Sequence, residues 1–100
     1  MSDEGWGFAP PPFKPDEALQ RLRRDLREAG LLEREGAFER RGLLIARVAV
    51  DGLALEARTV KRPSRTGPEW QARTLRSSAD VRDYVAELKK KLAGWSDRDD

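Results

Sequence analysis

The densest concentration of chemistry-bearing residues lies between positions 58 and 76, where Arg58, Lys61, Arg62, Arg65, Arg73 and Arg76 stand against the single carboxylate of Glu69. Six cations less one anion give +5 there, and since the whole chain carries +2, the remainder carries −3. A local field of this sign attracts phosphates, and Trp70 in the same stretch offers a face on which an unpaired base can stack. The same residues also suit a solvated hairpin whose arginines keep a sheet edge from pairing with other chains, with Trp70 as a rim aromatic.

The other cations come already balanced. Arg21, Arg23, Arg24 and Arg27 share a segment with Asp16, Glu17, Asp25 and Glu28, which suits a solvated helix face better than a phosphate-tracking one. Lys89, Lys90 and Lys91 sit where a helix presents its negative end.

A catalytic centre has little to work with. The chain contains no cysteine and no histidine, which removes thiolate chemistry, the usual zinc ligands and the side chain that most often shuttles protons near neutrality. Ser64, Ser77 and Ser78 have no imidazole to activate them, and Tyr84 falls in an apolar stripe with its hydroxyl at the rim. The expectation is a protein that is not an enzyme and needs no cofactor and no metal.

Residues 1–14, MSDEGWGFAPPPFK, combine glycine, three consecutive prolines and the aromatics Trp6, Phe8 and Phe13. Proline excludes a helix and favours polyproline II geometry, a form that loses little entropy on binding. The segment reads as a flexible arm whose aromatics dock on the domain or enter a partner's pocket.

These groups need elements to hold them. A chain of 100 residues, 38% hydrophobic and 38% charged, fits one small domain without room for a second core. Its longest apolar run, Leu43 to Ala46, is far short of the roughly 20 residues a membrane helix needs. An acidic, proline-rich start lacks the basic and apolar regions of a secretory signal, so a cytoplasmic protein without membrane contact is expected.

From Pro15 the residues Leu19, Leu22, Leu26 and Ala29 recur at helical spacing and Gly30 closes the pattern, predicting a first helix. The run VAV-DG-LAL predicts a hairpin whose two turn residues are Asp51 and Gly52. That register puts Val50, Val48, Ala46 and Leu44 opposite Leu53, Leu55, Ala57 and Thr59 on a core-facing side. The other side pairs Ala49 with Ala54, Arg47 with Glu56, Ile45 with Arg58 and Leu43 with Val60. Leu43, Ile45 and Val60 then form an apolar strip that stays partly wet, receives the arm or meets another subunit.

Two prolines and a glycine after Arg62 lead to a third strand in EWQARTLR. Ser77 or Ser78 caps a last helix, with Asp80 placed for a capping box and Val81, Tyr84, Val85, Leu88 and Leu92 as its stripe. Gly94 is expected to stop it before Trp95. The predicted domain, residues 15–95, is α+β: a three-stranded antiparallel sheet, with room for a short extra strand near 37–41, and two helices packed on one face in the order α-β-β-β-α. Residues 96–100 read as an acidic disordered tail.

Over Pro15 to Gly94 that order resembles double-stranded RNA-binding domains. Those domains meet phosphates with lysines at the start of the last helix, where this chain has Ser77, Ser78, Ala79 and Asp80, so the resemblance implies a layout and not the activity. Two functions remain as expectations. One is a non-catalytic protein-interaction domain, self-association included, using Trp6, Phe8, Phe13, Leu43, Ile45 and Val60. The other is nucleic-acid binding through Arg58, Lys61, Arg62, Arg65, Trp70, Arg73 and Arg76.

Overall fold

The computed structural model describes residues 12–98. Helices α1 (Pro15–Glu28) and α2 (Ser78–Arg98) bracket the strands β1 (Leu32–Arg34), β2 (Ala37–Arg40), β3 (Leu43–Asp51), β4 (Ala54–Val60) and β5 (Trp70–Leu75). The strands lie side by side in chain order, forming one antiparallel meander. The α+β class holds and the short strand anticipated near 37–41 is β2, but the sheet has five strands rather than three. The layout accordingly departs from the α-β-β-β-α order.

Pro15 opens α1 at its first turn, and the helix closes with a Schellman arrangement. The Gly30 amide donates to the Arg27 carbonyl at 3.0 Å and the Leu31 amide to the Leu26 carbonyl at 3.1 Å. Leu26 and Leu31 are both buried, supplying the apolar contact that accompanies this cap and turns the chain directly into β1.

The sequence offers no alternation over residues 31–41, and two short strands form there because of one turn. Glu35 and Gly36 both take positive φ, 53° and 81°, as a type I′ hairpin requires at its two central positions. Arg34 then stands opposite Ala37 and Glu33 opposite Phe38. Phe38 is fully buried and is the largest such side chain among the described residues.

In the central hairpin the turn is one residue later than expected. Asp51 pairs with Ala54, so the loop is Gly52-Leu53, and Gly52 with φ 63° is its positive-φ residue. That places glycine at the first central position, as in a type II′ turn. The pairs become Val50 with Leu55, Val48 with Ala57 and Ala46 with Thr59. Moving the turn by one shifts each partner by two, and because strand faces alternate with period two Ala46, Val48, Leu55, Ala57 and Thr59 keep the core-facing side, whereas Leu53, now in the turn, is 86% exposed and Val50 is exposed with it. The expected Arg47–Glu56 pair does not. Arg47 lies opposite Arg58, and Glu56 instead meets Arg58 on its own strand at 3.4 Å.

A bulge corrects the other face. Phe38 pairs with Ala46 but Glu39 pairs with Leu44, which leaves Ile45 without a partner on β2. An extra residue of this kind lets two consecutive side chains turn to one side, and Ile45 and Ala46 are both fully buried. Ahead of the bulge the parity is reversed. Leu43 now pairs with Arg40 and Leu44 with Glu39.

Both helices meet the face that carries Phe38, Val48 and Leu55. From α1, Arg27 reaches Glu33 Oε1 at 2.8 Å and Arg23 Nε reaches Oε2 at 2.7 Å. From α2, Tyr84 meets Thr59 and Glu87 meets Arg73. The Leu92 carbonyl accepts from Arg40 at 3.0 Å.

At the start of α2 the Ser77 hydroxyl caps the Asp80 amide at 3.1 Å, and the Asp80 carboxylate accepts from the Arg76 amide at 2.9 Å. The helix does not end at Gly94. It continues to Arg98 because Trp95, following Leu88 and Leu92 at helical spacing, packs against the core from within the helix. Tertiary packing of that kind outweighs the modest cost of one helical glycine. Part of the segment expected to be tail is therefore helical. Among the described residues no helix is long and apolar enough to cross a membrane.

Candidate binding surface at the β5 edge

The six cations of residues 58–76 do not converge. Arg58 points to the sheet face away from the helices, beside Arg47. Lys61 follows β4, its amide donating to the Glu69 carbonyl at 2.8 Å and its ammonium 3.8 Å from the Glu69 carboxylate. Arg62 and Arg65 are exposed in the connection to β5, where the Ser64 hydroxyl accepts from the Thr66 and Gly67 amides at 3.2 and 3.3 Å. Arg73 turns toward α2 and donates to Glu87 at 2.7 Å. Arg76 lies past the far end of β5, at the entrance to α2. A stretch with +5 in sequence is thus divided among several surfaces, because alternate strand residues face opposite ways and a loop separates the strands.

Trp70 is half-buried and packs against the core, across from Val60. The apolar strip also changes character. Ile45 and Val60 are fully buried and Leu43 is half-buried, so Ile45 and Val60 are held by the fold itself and the three do not form a free contact patch. Ile45 is inside because of the bulge. Val60 is inside because it belongs to the same core cluster that Trp70 packs against. Phe13 is half-buried against that core, while Trp6 and Phe8 lie outside the described residues.

The arrangement instead assembles a site the sequence did not announce. β5 pairs with β4 along one side, and along its other side no strand lies against it among the described residues. Between β5 and α2 lies a groove of about 500 Å³, whose lining also takes in Thr59 of β4. Trp70, Gln71 and Arg73 line the strand side; Tyr84, Glu87 and Lys91 line the helix side. The last three recur at spacings of three and four, which is one stripe of α2. Lys61, just past the end of β4, also lines it.

The floor is fixed by a hydrogen bond of 2.6 Å between the Thr59 and Tyr84 hydroxyls. Burial raises the Tyr84 phenol above its usual value of 10.0, partly offset by the Thr59 bond and by the Arg73 charge. A phenol in that condition is neutral at physiological pH and gives the groove a hydrogen-bonding floor rather than a base. No group of histidine, cysteine or carboxylate side chains suited to a metal ion occurs among the described residues.

The strand itself was legible as EWQARTLR. What was not legible was its place at the end of the sheet, since that depends on β1 and β2 joining on the opposite side. The second edge, β1, is three residues long and its Glu33 is held by two arginines of α1. No family model, no curated protein and no solved structure matches the chain.

Proposed function

We propose that the chain is a non-catalytic protein-interaction domain whose contact surface is the open side of β5, where a partner adds an extended segment as a further strand in the groove against α2. One observation carries this reading. β5 is a regular six-residue strand without proline or bulge, and its one charged side chain, Arg73, is engaged by Glu87. An edge of that length presents a row of unpaired backbone donors and acceptors, which natural sheets ordinarily blunt with charge, proline or short length. Strand addition uses those groups for affinity and neighbouring side-chain pockets for selectivity.

The absence of histidine and cysteine from the sequence and the neutral state of Tyr84 support a non-catalytic role. The nucleic-acid alternative is weakened by the divergence of the basic residues. Amide exchange of residues 70–75, followed with and without short strand-forming peptides, tests the proposal. Protection of alternate β5 amides is expected. Binding of single- or double-stranded oligonucleotides at low salt with β5 exchange unchanged, and no protection by any peptide, would overturn it.

A further inference from the structure

Resting on that reading of the β5 edge, we infer that the added segment is acidic, with its carboxylates at the end of the groove marked by Trp70. The groove lining contains Lys61, Arg73 and Lys91 against one carboxylate, Glu87. Arg73 and Glu87 neutralise each other at 2.7 Å, which leaves the two lysines. Lys61 has Glu69 at 3.8 Å, but that pair is exposed, with side-chain accessibilities of 53% and 78%, and exposed pairs of this kind hold little charge back from a ligand. Lys91 has no ion-pair partner among the described residues.

The two lysines meet at one end. Arg76 contacts Asp80 and Arg73 contacts Glu87, so later residues of α2 lie beside earlier residues of β5 and the two elements run antiparallel. From Glu87 to Lys91 the helix advances about 6 Å, and from Arg73 back to Gln71 the strand advances about 7 Å. Lys91 therefore stands level with Gln71, and Lys61 stands beside Trp70, where its amide bonds the Glu69 carbonyl at 2.8 Å. Carboxylates on a strand lying in the groove would reach both ammonium groups there.

Other occupants fit less well. A second copy of the chain would bring an edge with the same three cations to one carboxylate, and like charges across an interface oppose association. A phosphodiester chain could meet the lysines, but it does not present donors at the spacing of the unpaired carbonyls of β5, which a peptide backbone satisfies in register with its own amides.

The test uses the full chain, isotope-labelled for amide detection, and three peptides with one alternating threonine-valine core. They differ only in carrying two glutamates, two glutamines or two lysines at one end. The glutamate peptide is expected to bind about fivefold more tightly than the glutamine peptide and to lose that advantage in high salt, as two partly exposed ion pairs should. The lysine peptide is expected to bind most weakly. The double substitution Lys61→Gln, Lys91→Gln should bring the glutamate peptide down to the glutamine level. Equal binding of all three with β5 amides protected would overturn the acidic assignment and leave strand addition standing. No perturbation of β5 by any peptide would remove the reading on which it rests, and concentration-dependent dimerisation through β5 would replace the acidic segment with a second copy.

Discussion

Thr59 on β4 and Tyr84 on α2 share a hydrogen bond of 2.6 Å in a place where both residues are at least nine-tenths buried. It joins the sheet to the helix directly beneath the groove, and each hydroxyl is the other's hydrogen-bond partner. Removing one leaves the other orphaned in an apolar setting. Thr59→Val and Tyr84→Phe should each cost about 1–2 kcal/mol, and the double variant should cost less than their sum by roughly 1 kcal/mol. Urea unfolding of the four proteins measures this. Strict additivity would mean that the bond contributes no coupling.

Tyr84 also sets an alkaline limit. Its folded value lies above the ordinary 10.0, chiefly through burial, so the unfolded chain releases the phenolic proton first. The stabilisation is fully present below the unfolded value and is lost as pH rises through the folded one. Tyr84 is the chain's one tyrosine, so phenolate absorbance reports it alone. Its titration midpoint should exceed 10.0, and Tyr84→Phe should remove this part of the alkaline loss of stability. A midpoint at the ordinary value would refute the account.

The bulge at Ile45 makes an opposite prediction for near neighbours. Ile45 is fully buried, whereas Arg47, two residues on, is exposed. Ile45→Thr places a hydroxyl and a small void in the core and should cost about 2–3 kcal/mol. Arg47→Thr should stay within about 0.5 kcal/mol of the parent and gains a strand-favouring residue. Thermal unfolding of the two variants decides it. Without the bulge both residues would share the exposed face and the costs would be alike.

That contrast shows where reading the sequence succeeded and where it failed. The helical stripes, the Ser77 cap, the inward side of Val48, Leu55 and Ala57, and β5 all follow from period and cap chemistry acting over a few residues, while Val50 and Leu53, expected inward, are exposed at the hairpin's end. The bulge does not, since nothing in LLIAR marks Ile45 as the extra residue until Phe38 lies against Ala46. The turn at Glu35-Gly36 was hidden because glutamate seldom takes positive φ, so the dipeptide lacks the asparagine or aspartate that announces such a turn. The candidate site was less legible still. Charge counted along residues 58–76 ignores the alternation that sends Arg58 and Arg73 to opposite faces, and a free edge is a property of the whole strand order.

The hidden turn is itself improvable. Glu35 holds φ 53°, is exposed, and precedes Gly36 in a two-residue loop. Asparagine tolerates that backbone conformation far better and pairs with glycine in the favoured type I′ combination. Glu35→Asn should stabilise the protein by about 0.5–1 kcal/mol, the scale on which backbone compatibility acts. A lower denaturation midpoint would show that the glutamate side chain contributes more than its backbone strain costs.

Gly52 and Gly94 give the sharpest test of backbone conformation, because an added Cβ meets no heavy atom within 4 Å at either position. Space therefore cannot separate them. Gly52 holds φ 63° at the first turn position of the central hairpin, where a side chain of L configuration is strained, so Gly52→Ala should destabilise by about 1 kcal/mol or more. Gly94 lies inside α2 and gives up more freedom there than alanine would. Gly94→Ala should therefore stabilise by about 0.5–1 kcal/mol. Unfolding midpoints moving in opposite directions confirm both the turn position and the continuation of the helix to Trp95. Two shifts of the same sign would mean that one of these backbone assignments is wrong.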